Sequence, residues 1–277
     1  MKTRKRKHIL IGSLLALAGV LLLFSCGTNP MTGRRTMALI SNDQLFPMSF
    51  AQFEEVMATK TVVTGTPEAQ MVQRVGENIV RATERWLDSK GRLSELDGYE
   101  WEFVLVQDDS INAWVMPGGK IVFYTGILPF TANEAGLAVV MGHEVAHAVL
   151  NHGQQRMSAA MLQQLGFITL AGLTAGQSQM TQGLLLTSFG VGSNLFGTLP
   201  FSRQHELEAD HLGTILMAIA GYNPEESVLF WERLMAIGGG APPAFLSTHP
   251  SDAARIDNLR RVIPEAKSEA RRFGVNF

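Results

Sequence analysis

The sequence predicts an α+β fold that is mostly helical, with a small β-sheet. Apolar residues recur at helical spacing over 41–60, 67–88 and 133–151. Between the second and third of these segments, residues 101–106 and 120–124 are rich in the aromatic and β-branched side chains that favour strands. The chain has 277 residues, of which 46% are hydrophobic, so it can bury a sizeable core as one large domain.

The N-terminus predicts an export signal. Basic residues at 2–7 precede a run of apolar and small residues at 9–24, which is the order found in secretory signals. The only cysteine, Cys26, follows the letters LFS and so resembles the end of a bacterial lipobox, and Gly27 resembles an outer-membrane sorting residue. We therefore expect residues 1–25 to be a lipoprotein signal peptide. Two alternatives are an ordinary secretory signal with a chance cysteine and an uncleaved signal anchor.

This interpretation predicts the location and the domain organisation of the mature protein. Lipidation of Cys26 would tether it to a membrane, most simply the outer membrane, on the periplasmic side of a bacterial envelope. Residues 26–40 carry Gly, Pro, Thr and two Arg without an apolar period, so we expect a tether there and one folded domain over 41–277. The formal net charge of −2 gives no electrostatic reason to expect binding to nucleic acid.

The link between the two predicted strands has two interpretations. Pro117 cannot donate to a central ladder, so it belongs in a turn or on an edge strand. An edge strand has unpaired backbone groups that can take an extended peptide as an added strand. From spacing alone, an ordinary hairpin with a Pro-Gly-Gly turn is the simpler interpretation.

The helix predicted over 133–151 contains the letters HEVAH at 143–147. Residues four apart lie on one helix face, so His143 and His147 can direct two imidazoles at one zinc ion. Glu144 is rotated by about 100° from His143, which places its carboxylate beside the metal, where a general base for water must stand. The alternative is a buried helix with two satisfied histidines, and the buried carboxylate makes that arrangement costly without a metal.

The third ligand can be sought by elimination. A metzincin pattern would need His at position 153, where the chain has Gly153, and His152 is better placed as a helix-end residue. The first carboxylates after the motif are those of the letters ELEAD, which begin a helix. Glu206 and Asp210 share one face of it and Glu208 points elsewhere, so we predict Glu206 as the ligand and Asp210 as the acceptor that orients a ligand histidine. A solvated acidic helix start is the alternative.

These motifs together resemble the CAAX-prenyl-protease and Oma/HtpX-like family of zinc metallopeptidases. The resemblance rests on HEVAH, on ELEAD after Ser202-Arg203, on the stretch 112–119 and on STHPS at 247–251, and NPMTGRR at 29–35 is most like the periplasmic lipoprotein members. It implies a gluzincin-type zincin with a small mixed β-sheet beside the HExxH helix, one Zn²⁺ per chain and Glu206 as third ligand. It also implies a substrate cleft at Asn112, Ala113, Pro117, Gly118 and Gly119.

The predicted function is zinc-dependent endopeptidase activity on extended segments of misfolded or mis-assembled envelope proteins. Residues 161–200 form two apolar halves, each too short for a membrane span, which predicts a helical lid beside or over the site. His249 could reach the site as an oxyanion stabiliser or as a reversible extra ligand, and Tyr222 and His205 are weaker candidates. The alternative function is a chaperone-like or adaptor lipoprotein with a latent or structural zinc site. The sequence does not indicate the oligomeric state.

Overall fold

The computed structural model describes residues 26–28, 33–174, 202–237, 243–249 and 253–277. Its strands are β1 (Cys26–Thr28), β2 (Arg35–Met37), β3 (Val62–Val63), β4 (Glu102–Val106), β5 (Ala113–Met116) and β6 (Lys120–Tyr124). Its α-helices are α1 (Asn42–Met57), α2 (Pro67–Asp88), α3 (Leu128–Thr131), α4 (Glu134–Val149), α5 (His152–Thr174), α6 (Arg203–Ile219), α7 (Glu226–Met235), α8 (Ala244–Thr248) and α9 (Ala253–Arg272). The prediction of a mostly helical α+β fold with a small mixed sheet is confirmed.

The long helices begin where their capping residues place them. Before α2, the Thr66 side chain accepts the Ala69 backbone N–H, and Pro67 occupies the first turn, where its missing donor has no cost. Before α4, the Asn133 side chain accepts the Gly136 backbone N–H. The start of the HExxH helix is therefore fixed by local chemistry as well as by packing.

Four strands form one mixed sheet in the order β3-β4-β6-β5. Strands β4 and β6 run parallel, whereas β5 is antiparallel to β6 and lies at the edge. The link that was predicted as either a turn or an edge strand contains both, because Ala113–Met116 is a strand and Pro117 follows in the turn. Both turn glycines have positive φ, 87° at Gly118 and 97° at Gly119, a conformation in which other residues are strained.

Helix α4 is the centre of the core. Every residue from 136 to 149 in it is buried, as expected for a helix that is apolar on all sides. It crosses α6 where Gly142 faces Gly213, and a Cβ atom added at Gly213 would lie 2.7 Å from the Gly142 carbonyl carbon. The two backbones therefore touch, which places the middle of α6 beside the middle of α4.

Several predicted regions fall partly or wholly outside the described residues. Residues 1–25, predicted as a signal peptide, lie outside them, as do residues 175–200 of the predicted lid, while residues 161–174 of that lid belong to α5. Within the predicted tether, β1 and β2 pair antiparallel. Among the helices of the described residues, none has the length and apolarity needed to cross a membrane.

Candidate metal centre

Helix α4 brings the two histidines of the motif together. The Nε2 atoms of His143 and His147 are 3.0 Å apart, and both side chains are buried. The four-residue spacing therefore produces the convergence that the sequence predicts, with both ring nitrogens aimed at one point.

Helix α6 adds a carboxylate to this point. The Ser202 side chain accepts the His205 backbone N–H and caps the helix, so that Glu206 stands in the first turn. Its Oε2 atom is 3.4 Å from His143 Nε2, and its Oε1 atom is 3.5 Å from His147 Nε2. Glu206 is fully buried, whereas Glu208 on the same helix points to another side.

His249 is the fourth member of the cluster and comes from the end of α8. Its Nδ1 atom is 3.2 Å from both His143 Nε2 and Glu206 Oε1. The ring packs on Phe245, with the ring centres 4.6 Å apart, and is 1% exposed. One nitrogen or oxygen from each of His143, His147, Glu206 and His249 lies within 4.8 Å of the others.

Glu144 lies beside this cluster without joining it. Both of its carboxylate oxygens are buried and have no hydrogen-bond partner among the described residues. His249 Nε2 lies 3.4 Å from the Oε1 atom of Glu144. Burial raises the pKa of Glu144, against the opposing charges of His249 and His143. A carboxyl group with a raised pKa in such a position is suited to accept and return a proton.

Asp210 and Arg255 support His143 at its Nδ1 atom, Asp210 directly and Arg255 through Asp210. Asp210 Oδ1 is 3.0 Å from His143 Nδ1. Arg255, from α9, donates to both Asp210 oxygens at 2.7 and 2.8 Å, and its Nη1 is 2.8 Å from Glu206 Oε2. The guanidinium also lies over the ring of Trp231, 3.9 Å from its centre. The sequence predicted the position of Asp210 but gave no role to Arg255.

The electrostatics of the site depend on these neighbours. Burial disfavours the charged form of His143, but hydrogen bonds with Asp210 and Glu206 outweigh it and raise its pKa to about 9. Burial dominates at His147 and lowers its pKa. The pKa of Glu206 is lowered in spite of its burial, by the charge of His249 and by hydrogen bonds from the histidines. Glu206 is therefore held as an anion.

The chemistry of this donor set fits a zinc ion. Two imidazole nitrogens and one carboxylate converge, which is the set that catalytic zinc takes from proteins while keeping one further position open. The buried anions Glu206 and Asp210 share the guanidinium of Arg255, and Glu144 adds a third buried carboxyl group. A divalent cation would be attracted by these buried carboxyl groups.

The predicted cleft residues at 112–119 and Tyr222 are not members of the metal cluster. Ala113 begins the edge strand and is buried, and Asn112 precedes it with its carbonyl accepting the Tyr124 N–H. Pro117 of the following turn contacts the start of α5 at Gly153. The Tyr222 hydroxyl instead bonds to Asn78 and Glu134, at the other end of α4.

The sequence interpretation missed His152. It was expected to be a helix-end residue and is the first residue of α5, but its contact with the site was not predicted: its Nδ1 atom lies 3.0 Å from Nδ1 of His147. His205 stacks on His152, with ring centres 4.3 Å apart, and does not reach the cluster itself. No local pattern in the sequence predicts this contact, because the contact depends on a break between α4 and α5 at Asn151, where φ is 55°.

Comparison with known proteins decides the family. The model of peptidase family M48 matches residues 69–263, which include all four members of the cluster. The chain belongs to peptidase family M48. It is therefore a metalloprotease, and the predicted resemblance is confirmed.

Three relatives of this M48 chain show how far the similarity extends. The mitochondrial metalloendopeptidase OMA1 of Schizosaccharomyces pombe is 32% identical over 269 residues, 95% of this chain and 74% of the relative. The Saccharomyces cerevisiae OMA1 is 38% identical over 181 residues, 62% of this chain and 50% of the relative. The beta-barrel assembly-enhancing protease of Escherichia coli is 32% identical over 171 residues, 58% of this chain and 34% of the relative.

The predicted location of the M48 chain is wrong. Its OMA1 relatives from both yeasts are mitochondrial, which contradicts the prediction of a protein on the periplasmic side of a bacterial envelope. The physical reason is that a basic N-terminus without acidic residues is common to secretory signals and mitochondrial transit peptides. Lipidation of Cys26 was inferred from the same segment and stays a prediction.

Proposed function

We propose that this M48 chain is a zinc-dependent endopeptidase in which His143, His147 and Glu206 hold the metal and Glu144 is the general base. The observation that carries this proposal is the convergence of the three donors beside a buried carboxylate whose oxygens have no hydrogen-bond partner among the described residues. The metalloendopeptidase names of the OMA1 relatives support it.

A zinc ion held by His143, His147 and Glu206 would supply Lewis-acid chemistry, which polarises a peptide carbonyl and lowers the pKa of a water molecule to about 7. Glu144 accepts a proton from the attacking water and returns it to the leaving amine. Asp210, supported by Arg255, lies 3.0 Å from His143 Nδ1, so it would hold the Nε2 atom of His143 toward a bound metal. Burial keeps bulk water away from these steps and strengthens each electrostatic contact.

Strand β5 is proposed to receive the substrate. It is an edge strand of the four-stranded sheet and packs against α4, which carries the metal ligands. An extended peptide can add to such an edge through backbone hydrogen bonds, which gives affinity with little side-chain specificity. Segments of misfolded or mis-assembled proteins have this extended form. The envelope origin of the predicted substrates depended on the location corrected above, so it is not part of the proposal.

His249 is proposed to be a reversible extra ligand. Its Nδ1 atom is 3.2 Å from His143 Nε2, and its Nε2 atom is 3.4 Å from Glu144 Oε1, so the ring would lie between a bound metal and the base. The Phe245 backbone N–H in the same segment donates to the Ile111 carbonyl, next to the start of β5. The segment 243–249 therefore lies beside the strand proposed to receive the substrate, and it would have to move before each turnover.

The test combines metal content with proteolysis of an unfolded protein such as casein. Glu144→Gln keeps the shape of the side chain but removes the base, so we expect one zinc per chain and loss of hydrolysis. Glu84→Gln, on the exposed face of α2, is the matched control and should retain activity. Hydrolysis at the wild-type rate by Glu144→Gln would refute the mechanism.

The same variant separates the enzyme from the chaperone-like or adaptor alternative. The closed position of His249 favours that alternative, because a site held shut can bind without turning over. A binding function would survive Glu144→Gln unchanged, whereas the enzymatic function would not.

A further inference from the structure

A chain of polar side chains leads away from His147 to the N-terminal segment. His152 Nδ1 is 3.0 Å from His147 Nδ1, and His152 Nε2 is 3.1 Å from Glu208 Oε2. Arg34 then donates to both oxygens of Glu208, from Nε at 2.8 Å and from Nη2 at 3.1 Å. His147 and His152 are buried, and Glu208 is nearly so, with 11% of its side chain exposed.

The hydrogen positions along this chain follow from one requirement. If His147 offers Nε2 to the metal, its Nδ1 atom must carry the proton. His152 Nδ1 must then accept, which leaves the proton of His152 on Nε2, where it is donated to Glu208. The carboxylate in turn accepts from Arg34. Every donor meets an acceptor, and each ring has one defined tautomer.

Arg34 belongs to a segment that is attached to α5 at several points. Its Nη2 atom also donates to Gln155 Oε1 at 2.9 Å. The Leu39 backbone N–H donates to Ser158 Oγ at 2.9 Å, and Gln154 Nε2 donates to the Ile40 carbonyl at 2.9 Å. Residues 34–40 thus lie along the same helix that begins with His152.

The two ligand histidines are therefore supported differently. His143 contacts a carboxylate directly, and that carboxylate is held by Arg255 of α9. His147 contacts an imidazole, which is inserted between it and the Glu208–Arg34 pair. Ligand orientation by such outer contacts changes metal affinity, because a misaligned ring loses part of the metal bond.

We propose that His152 is a positioning residue for the metal ligand His147, and that Arg34, acting through Glu208, makes the N-terminal segment 33–40 part of the metal centre. This rests on the proposed function, because it assumes that His147 binds the metal. It follows that displacement of the N-terminal segment weakens metal binding without any change in the ligands themselves.

The first test replaces His152 in two ways in the full chain. The Oδ1 atom of Asn takes the place of the His Nδ1 atom, so His152→Asn keeps an acceptor for His147, whereas His152→Leu removes it. The readouts are zinc affinity by competition with a chromophoric chelator and the visible spectrum of the Co²⁺-substituted protein. We expect His152→Leu to bind zinc about 10- to 100-fold more weakly, with a changed Co²⁺ spectrum, and His152→Asn to recover most of the affinity.

The second test uses the adjacent arginines as a matched pair. Arg34→Ala and Arg35→Ala remove the same charge from neighbouring residues, but only Arg34 contacts Glu208. We expect a several-fold loss of zinc affinity in Arg34→Ala and none in Arg35→Ala. Because Arg34 is partly exposed, we expect both variants to retain the fold. Circular dichroism of the metal-free variants checks this.

Two results would overturn the proposal. One is wild-type zinc affinity and an unchanged Co²⁺ spectrum in His152→Leu, and the other is an equal effect of the two arginine variants. Failure of the proposed function gives different results. In that case the wild-type chain binds no zinc at this site, or the Glu144→Gln variant retains its activity.

Discussion

The buried charges at the metal centre are arranged as pairs that orient each other. Arg255 contacts Glu206 and Asp210 at once, so a single guanidinium fixes both a proposed ligand and the residue behind another ligand. Its contact with Trp231 keeps the guanidinium plane in place. At the residue scale, metal affinity should therefore depend on side chains that never touch the metal.

Asp210→Asn tests that dependence. The Asn oxygen can still face His143 Nδ1, but the charge that pairs with Arg255 is lost. We expect zinc affinity to fall about 10- to 100-fold, as is typical when the residue that contacts a zinc histidine is mutated. Competition with a chelator measures it, and Asp88→Asn on the exposed face of α2 is the control. Equal affinities in the two variants would contradict the role of Asp210.

His249→Ala distinguishes two roles that predict opposite signs. As a reversible extra ligand, His249 blocks the site, so its removal should raise kcat/KM several-fold. As an oxyanion stabiliser it would assist the reaction, and its removal should lower kcat by about 10²- to 10³-fold. The short distances from Nδ1 to His143 and Glu206 favour an increase. Peptide hydrolysis measures it, with exposed His211→Ala as the control.

Helical spacing in the sequence predicts some of these residues, whereas others are brought to the site only by tertiary packing. Glu206 and Asp210 follow from helical spacing within one segment. Arg255 meets them only because α9 packs on α6, and no local pattern encodes that contact. His152 is five residues after His147, which on a continuous helix would turn it away. The chain leaves the helix at Asn151 and begins a new one, so the rule of helical rotation does not apply.

At the scale of elements, the site depends on how closely α4 and α6 approach. Gly142 and Gly213 face each other at the crossing, and the missing side chains allow backbone contact. Gly142 directly precedes His143, and Asp210 lies one turn before Gly213. The two glycines therefore set the distance across which Asp210 and Glu206 reach the histidines.

Gly213→Ala should destabilise the protein and weaken metal binding together. The new Cβ atom would lie 2.7 Å from the Gly142 carbonyl carbon and 2.8 Å from its oxygen, so the helices must separate. Overpacking of this kind costs about 1–3 kcal/mol. Helix propensity alone predicts the opposite sign, a gain of about 1 kcal/mol. Urea unfolding of the metal-free variant decides between them, and a stabilised variant would contradict the tight crossing.

At the scale of the whole molecule, the sequence predicted the helices well and the sheet less fully. The segments 67–88 and 133–151 carry strong helical periods and caps, and α2 and α4 occupy them. The strand order β3-β4-β6-β5 depends on pairings between distant segments, which a pattern within one strand does not specify. The location was predicted from the N-terminus alone, where similar composition serves different compartments.

Metal removal should affect the stability of the entire fold, because the cluster joins α4, α6 and the end of α8. Zinc at 1,000 times its dissociation constant adds about 4 kcal/mol to the free energy of unfolding if the unfolded chain does not bind it. For a protein of this size, that corresponds to a Tm about 7 °C higher. Chelation should therefore lower Tm by that amount in the wild type and in Glu144→Gln. The Tm of His147→Ala, which lacks a proposed ligand, should change little when the chelator is added. If chelation left the wild-type Tm unchanged, zinc would not be the link between these three helices.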